Sequence, residues 1–199
     1  MNSKRAEKMG GRTGFAGVLD RLRYHEVSRQ GVGLLLLPAC AWFANPGASR
    51  VWIGLAIALL GQSWRVYAAG VIYKNTQLAR TGAYSLVRHP LYLGNFLILA
   101  GFTLASANWG VLAVVIVFLL FYYPAAIRYE DTKLEGIFGG GWRAWSQETP
   151  AMFPTRLKWR ADTDAEWDAY QSLLRNGELP ITLYLAACAW FLLSRAGML

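Results

Sequence analysis

Apolar and polar positions alternate in long blocks along the chain. Four apolar blocks come first: Val32 to Ala44, Val51 to Tyr73, Leu91 to Ala107 and Trp109 to Ile127. A fifth runs from Leu179 to Ser194. About 20 apolar residues cross the hydrocarbon core of a bilayer. The second block is long enough alone, and the first reaches that length only with its flanks. The fifth is shorter, and spanning, re-entry and packing against the bundle are all open to it. Asn108 alone separates the third block from the fourth, which predicts an antiparallel hairpin of two helices. Asn45, Pro46 and Gly47 turn the chain between the first two.

Two other segments are amphipathic. Phe15, Val18, Leu19, Leu22 and Val27 form an apolar stripe, with Asp20, Arg21, Arg23 and Glu26 opposite. This pattern predicts a helix lying in the membrane interface. Asp164 to Asn176 repeats it through Trp167, Tyr170, Leu173 and Leu174, with Asp162 or Thr163 as cap and Gly177 as stop. The expected architecture is an all-α membrane bundle of four to five transmembrane helices with interfacial amphipathic helices. Residues 1–30 form a basic N-terminal segment, 31–154 the membrane core, and 155–199 a C-terminal extension. The last block is expected to close the bundle and bear on stability or substrate choice, and it need not carry cofactor ligands.

Composition supports the membrane reading. Hydrophobic residues make up 55% of the chain and charged residues only 16%, against about 25% in soluble domains. A net charge of +8 would suit nucleic acid, but its distribution argues otherwise. Seven basic residues precede Gly31, three (Lys74, Arg80, Arg88) lie between two apolar blocks, and seven lie between Arg128 and Arg175. These groups hold 17 of the 20 Lys and Arg residues. Such alternation is the positive-inside pattern, and it puts the N-terminus and both other basic segments on the cytoplasmic side, with the bilayer as partner and no nucleic acid. Cys40 and Cys188 sit far apart inside apolar blocks and read as buried structural thiols. The basic N-terminal residues lack the apolar core and small-residue cleavage site of a signal segment.

Three places carry chemistry. In the run Gly82 to Gly94, Pro90 suits a first helical turn, which puts Arg88 and His89 at a helix N-terminus near the membrane surface. Unpaired N–H groups and the helix dipole there favour a carboxylate or phosphate; a headgroup anchor is the plainer reading. In the second place, Arg128 to Glu135, acids and bases cluster where the chain leaves the bilayer, either as ligands or as ordinary ion pairs on a solvated helix. The third is Arg65, a charge within the second block. Such a residue faces a partner or a watery cavity, or snorkels to the surface. The glycines Gly139 to Gly141 have no strand before them and no Lys-Ser/Thr after them, so they read as a helix stop.

Together these pieces resemble the isoprenylcysteine carboxyl methyltransferase family and its prokaryotic membrane relatives. The matching residues are Gly82-x-Tyr84-x-x-x-Arg88-His89-Pro90-x-Tyr92-x-Gly94, Glu130-Asp131-x-x-Leu134, and Phe138-Gly139-x-x-Trp142-x-x-Trp145, closing at Pro150 and Pro154. Arg65-x-x-Ala68-x-Gly70 looks similar too, so the resemblance runs from Val51 to Pro154. The chain departs from the pattern at Ala83, where a proline is common, at Asp131, in place of a second glutamate, and at Trp142 and Trp145, in place of tyrosines. The resemblance implies an S-adenosylmethionine pocket lined by Tyr84, Arg88, His89, Tyr92, Glu130 and Asp131. It implies methyl transfer to a lipophilic or lipidated acceptor through a thiolate, carboxylate or amine. On this reading Arg88 and His89 take the methionyl carboxylate, and Glu130 and Asp131 the amino group or ribose hydroxyls. Arg88, His89 and Glu130 are the candidate catalytic residues, with His89 or Glu130 as base for an amine. No metal site is expected. A nicotinamide-dependent membrane reductase of the sterol reductase type and a non-enzymatic membrane scaffold are the alternatives; cofactor titration separates them.

Overall fold

The computed structural model describes residues 9, 13–45, 47–73, 76–155, 159–160 and 167–199. Lys4, Arg5, Lys8, Arg12, Pro46, Lys74, Arg156, Lys158, Asp162, Thr163 and Asp164 lie outside them. Among the described residues every regular element is helical. These are α1 (Gly14–Arg23), α2 (Glu26–Trp42), α3 (Ala48–Gly70), α4 (Ala83–Leu86), α5 (Pro90–Ser106), α6 (Trp109–Phe138), α7 (Gly140–Glu148), a π-helical turn (Gln171–Arg175) and α8 (Glu178–Arg195). The apolar blocks lie on α2, α3, α5, α6 and α8.

Of these, α6 alone among the described residues is long and apolar enough, by length and composition, to cross a membrane, and only 33% of its apolar window is buried. A core helix of a water-soluble protein would be mostly covered. The α6 helix also outruns its apolar block. Arg128 to Leu134 are compatible with a helix, and the first break is Gly139, whose φ of +53° is a conformation open to glycine. Glu130 and Asp131 therefore ride on a rigid extension of the apolar helix.

The α5–α6 hairpin forms as expected. Ala107 takes a left-handed conformation, and Asn108 caps α6 by accepting from the N–H groups of Gly110 and Val111. Asn108 also donates to the Phe43 carbonyl, and the Asn45 N–H bonds Ser106 O, so the two turns at this end are tied together. Exposed Trp42, Trp52, Trp109 and Trp190 gather at the same end. Arg195 lies over the Trp42 ring, and Phe191 contacts it.

The closest pairing is between α3 and α5, and glycine makes it. A Cβ on Gly54 would fall 2.4 Å from Gly101 O, and one on Gly101 would fall 2.4 Å from Gly54 O. Gly61 and Gly94 meet the same way, one heptad along each helix. Backbones this close gain dispersion contact along the whole crossing, the small-residue packing that lets two helices approach. Gly54→Ala and Gly101→Ala are each expected to cost roughly 1–3 kcal/mol through forced separation, read as a lower melting temperature in detergent. Gly31→Ala, with open space around it, is the control. Equal melting for all three would contradict the packing.

Two helix prolines leave backbone carbonyls short of donors. Pro38 removes the N–H that would reach Leu34 O, and Tyr184 Oη of α8 supplies a bond there at 2.7 Å. Pro124 of α6 removes the N–H that would reach Leu120 O, and on the next residue Arg23 Nε donates to Phe121 O at 3.2 Å. Arg23 belongs to α1, whose Gly17 and Asp20 are buried while Phe15, Val18 and Leu22 are exposed. An amphipathic helix with its apolar stripe turned outward is what an interfacial element requires. Val27, placed on that stripe by the sequence pattern, lies on α2 instead, because the chain breaks at Tyr24 and His25.

The second amphipathic segment differs from expectation. Trp167 and Asp168 are not helical, and Asp168 Oδ1 accepts from the N–H groups of Tyr170 and Gln171, which starts the π turn. That turn serves the C-terminal end of α3, whose last carbonyls lack helical partners. Ser172 Oγ donates to Val66 O, Asn176 to Ala69 O and Gln171 to Ile72 O. Gly177, at φ +76°, stops the segment as predicted and leads into α8.

Candidate functional site

The site begins at Gly82. Its φ of +56° and a Cβ position 2.6 Å from Tyr67 Oη exclude a side chain. Helix α4 then buries Tyr84 against Ala68, Val71, Trp142 and Trp145. The chain extends through Val87, and the N–H groups of Arg88 and His89 bond Pro150 O and Ala151 O at 2.8 and 2.9 Å. Pro90 starts α5 as expected. The His89 side chain makes no capping bond there.

Arg88 and His89 turn instead to Asp131. Arg88 Nη2 and Nε donate to its two carboxylate oxygens at 2.8 and 3.3 Å, and His89 Nε2 lies 2.9 Å from Oδ1. Arg88 Nη1 donates to Ser146 O and Thr149 O, both at 2.9 Å. Those carbonyls belong to the C-terminal turn of α7, where a cation suits the dipole. The Arg88 guanidinium also lies over the Trp142 ring. One arginine thus joins α5, α6 and α7. Asp131 stands beyond the apolar block of α6. Partial burial pushes its carboxyl pKa up, but hydrogen bonds from His89 and Arg88 and their charge outweigh this and hold it below the ordinary value.

Arg65 has a partner too. Its Nη2 and Nε meet the Glu178 carboxylate at 2.6 and 3.1 Å, and Nη1 donates to Asn95 Oδ1 at 2.6 Å. Gln62 donates to the same carboxylate and to Thr182. Glu178 is 1% exposed, so the pair is a buried bidentate link between α3 and α8.

Between these two ion pairs lies a cavity of about 600 Å³, within the ~300–1,000 Å³ typical of ligand sites. Tyr84, Arg88, His89, Glu130, Lys133 and Trp145 line one part, and Leu37, Ile98, Leu99, Phe118, Ile181 and Leu185 another. Tyr84 Oη and Trp145 Nε1 are buried without a hydrogen-bond partner in the protein. Burial raises the Tyr84 pKa above its ordinary value, so its hydroxyl is a neutral donor. Glu130 has a loose ion pair with Lys133 at 3.8 Å. Five of the six predicted pocket residues (Tyr84, Arg88, His89, Tyr92 and Glu130) line this cavity, whereas Asp131 is not among the lining residues.

Residues 47–141 match the phospholipid methyltransferase family. The chain is 32% identical over 191 residues to the cobalt-zinc-cadmium resistance protein CzcN of Cupriavidus metallidurans, covering 90% of this chain and 83% of that protein. It is 33% identical over 112 residues to the nickel-cobalt-cadmium resistance protein NccN of Alcaligenes xylosoxydans xylosoxydans, covering 56% of this chain and 51% of that protein. The chain belongs to the phospholipid methyltransferase family. No solved structure matches it. The six predicted pocket residues all fall within the matched segment. Arg29 and Glu178, which also line the cavity, fall outside it.

Sequence reasoning missed both. Arg29 read only as a topological charge, and Glu178 lies one residue before the last apolar block. The last block, expected to close the bundle, also walls the cavity, through Ile181, Tyr184 and Leu185 with Glu178 just before them. Arg65 carried a usable signal. A charge inside an apolar helix calls for an acid, and Glu178 heads the last helix.

Proposed function

We propose that this member of a membrane methyltransferase family uses S-adenosylmethionine to methylate a lipophilic acceptor. The supporting observation is the single cavity that joins the family-matched polar residues to apolar walls from α2, α5, α6 and α8. The residues present fit the cofactor. Glu130 suits the methionyl amino group, and the unpartnered Tyr84 Oη and Trp145 Nε1 suit polar atoms of the ligand. The aromatic rings of Tyr84 and Tyr92 suit a sulfonium cation. His89, held by Asp131, completes that wall. Arg88 and Asp131, already bonded to each other, act as positioning residues rather than as handles for the carboxylate and amino group.

When bound, the cofactor supplies an electrophilic methyl group. The chain aligns the acceptor with it and excludes water, which favours a step in which opposite charges diminish. An anionic acceptor needs no base; for an amine, Glu130 or His89 takes the proton. Four to five helices cross the bilayer in this reading, α2, α3, α5 and α6 with α8 as the fifth. The exposed tryptophans mark the far interface, and the basic segments and cofactor residues face the cytoplasm. The two relatives are named for metal resistance. This chain would serve such a phenotype by altering a membrane component.

Calorimetric titration of the purified protein tests the cofactor. S-adenosylmethionine is expected to bind, and Glu130→Gln to weaken it by about 1.5–3 kcal/mol, the range for hydrogen bonds to charged groups. Binding of NADPH without S-adenosylmethionine would overturn the proposal.

A further inference from the structure

The cavity contains three arginines, and two of them have carboxylates. Arg65 is held by Glu178 and Arg88 by Asp131. Arg29 differs. Its Nη1 donates to the neutral Tyr92 Oη at 3.2 Å, and its guanidinium lies 5.2 Å from the Tyr92 ring centroid. Among the described residues no carboxylate comes within ion-pair distance of it. Glu26, one turn earlier on α2, accepts from Gln30 at 3.3 Å. Glu26 and Glu130 line the same cavity, but a half-buried guanidinium with no direct ion pair among the described residues is costly beside apolar walls.

Its position on the helix gives that charge a direction. Arg29, Gly33 and Leu37 recur every four residues on α2, and all three line the cavity. Eight residues of helix advance about 12 Å. Along that distance the wall changes from a cation to glycine packed under Phe118 and then to leucine. Leu99 and Leu185 face the same space. We propose that Arg29 binds the anionic group, a carboxylate or phosphate, of an amphiphilic methyl acceptor whose hydrocarbon chain runs along α2 past Gly33 to Leu37. This rests on the methyltransferase reading above and adds a specificity residue outside the family-matched segment.

The test uses the full chain in dodecyl maltoside, with palmitate and hexadecyl phosphate as anionic probes and hexadecanol as the uncharged control. Probe affinity comes from ligand-induced shifts in melting temperature, and S-adenosylhomocysteine affinity from calorimetry. Arg29→Gln is expected to weaken both anionic probes about tenfold or more, with partial recovery in Arg29→Lys and no change for hexadecanol. S-adenosylhomocysteine affinity should stay unchanged, which separates the acceptor's anion from the methionyl carboxylate. The proposal is overturned if the anions bind wild type and Arg29→Gln alike, or no better than hexadecanol. It is also overturned if Arg29→Gln weakens S-adenosylhomocysteine and leaves the anions unaffected. Arg29-dependent anion binding in a protein that never binds S-adenosylhomocysteine would sustain the anion site and sink the cofactor reading alone.

Discussion

Glu178→Leu is expected to lower stability by about 3–5 kcal/mol, the cost of leaving one partner of a buried ion pair uncompensated. Arg65 would keep Asn95 but lose both contacts to the carboxylate. The loss should show as early melting in detergent and as protease sensitivity near the π turn, because α8 follows it directly and the turn caps α3. Arg65→Met combined with Glu178→Leu should restore much of the stability, since an apolar pair of similar bulk leaves no orphan charge. A double variant as unstable as Glu178→Leu would show that the pair is not acting as a unit.

The second large effect concerns Arg88. Arg88→Ala is expected to destabilise the junction of α5, α6 and α7 by about 1.5–3 kcal/mol and to abolish cofactor binding through disorder of the wall. Arg88→Lys should rescue little, because one ammonium cannot span a carboxylate and two helix carbonyls. Asp131→Asn in the Arg88→Ala background should add little further cost, the mark of a coupled pair in a double-mutant cycle. The clamp also has a pH signature. Its carboxyl sits below the ordinary value, so its contribution is present at neutral pH and fades as acid protonates Asp131. Arg88→Ala that weakens the cofactor with stability intact would restore the direct carboxylate contact.

Hydrophobic blocks and turn residues made much of the helical layout readable. Asn108 announced the α5–α6 hairpin, Pro90 the start of α5, and Gly139 and Gly177 the ends of helical segments, each through a local conformational preference. The site was readable as a set of residues but not as a set of roles. Arg88 and Asp131 are 43 positions apart, and their pairing depends on α7 folding back to offer Ser146 O and Thr149 O, which no local spacing encodes. The glycine pairs were present as a seven-residue recurrence, Gly54 to Gly61 and Gly94 to Gly101, but their meaning depends on which helices face each other. Glu178 escaped because it stands one residue before the last apolar block, outside the bounds that hydropathy draws. Arg29 escaped because surface and cavity arginines look the same in a charge tally.

Transfer of a labelled methyl group tests the account most directly. Purified protein in native lipid extract is given S-adenosylmethionine carrying tritium in its methyl group, and the organic-extractable label is counted after quenching. The account predicts label in the organic phase that rises with time and protein, and falls to background with Glu130→Gln or with excess S-adenosylhomocysteine. Cofactor binding without extractable label, across lipid extracts and both anionic amphiphiles, would contradict methyl transfer to a lipophilic acceptor.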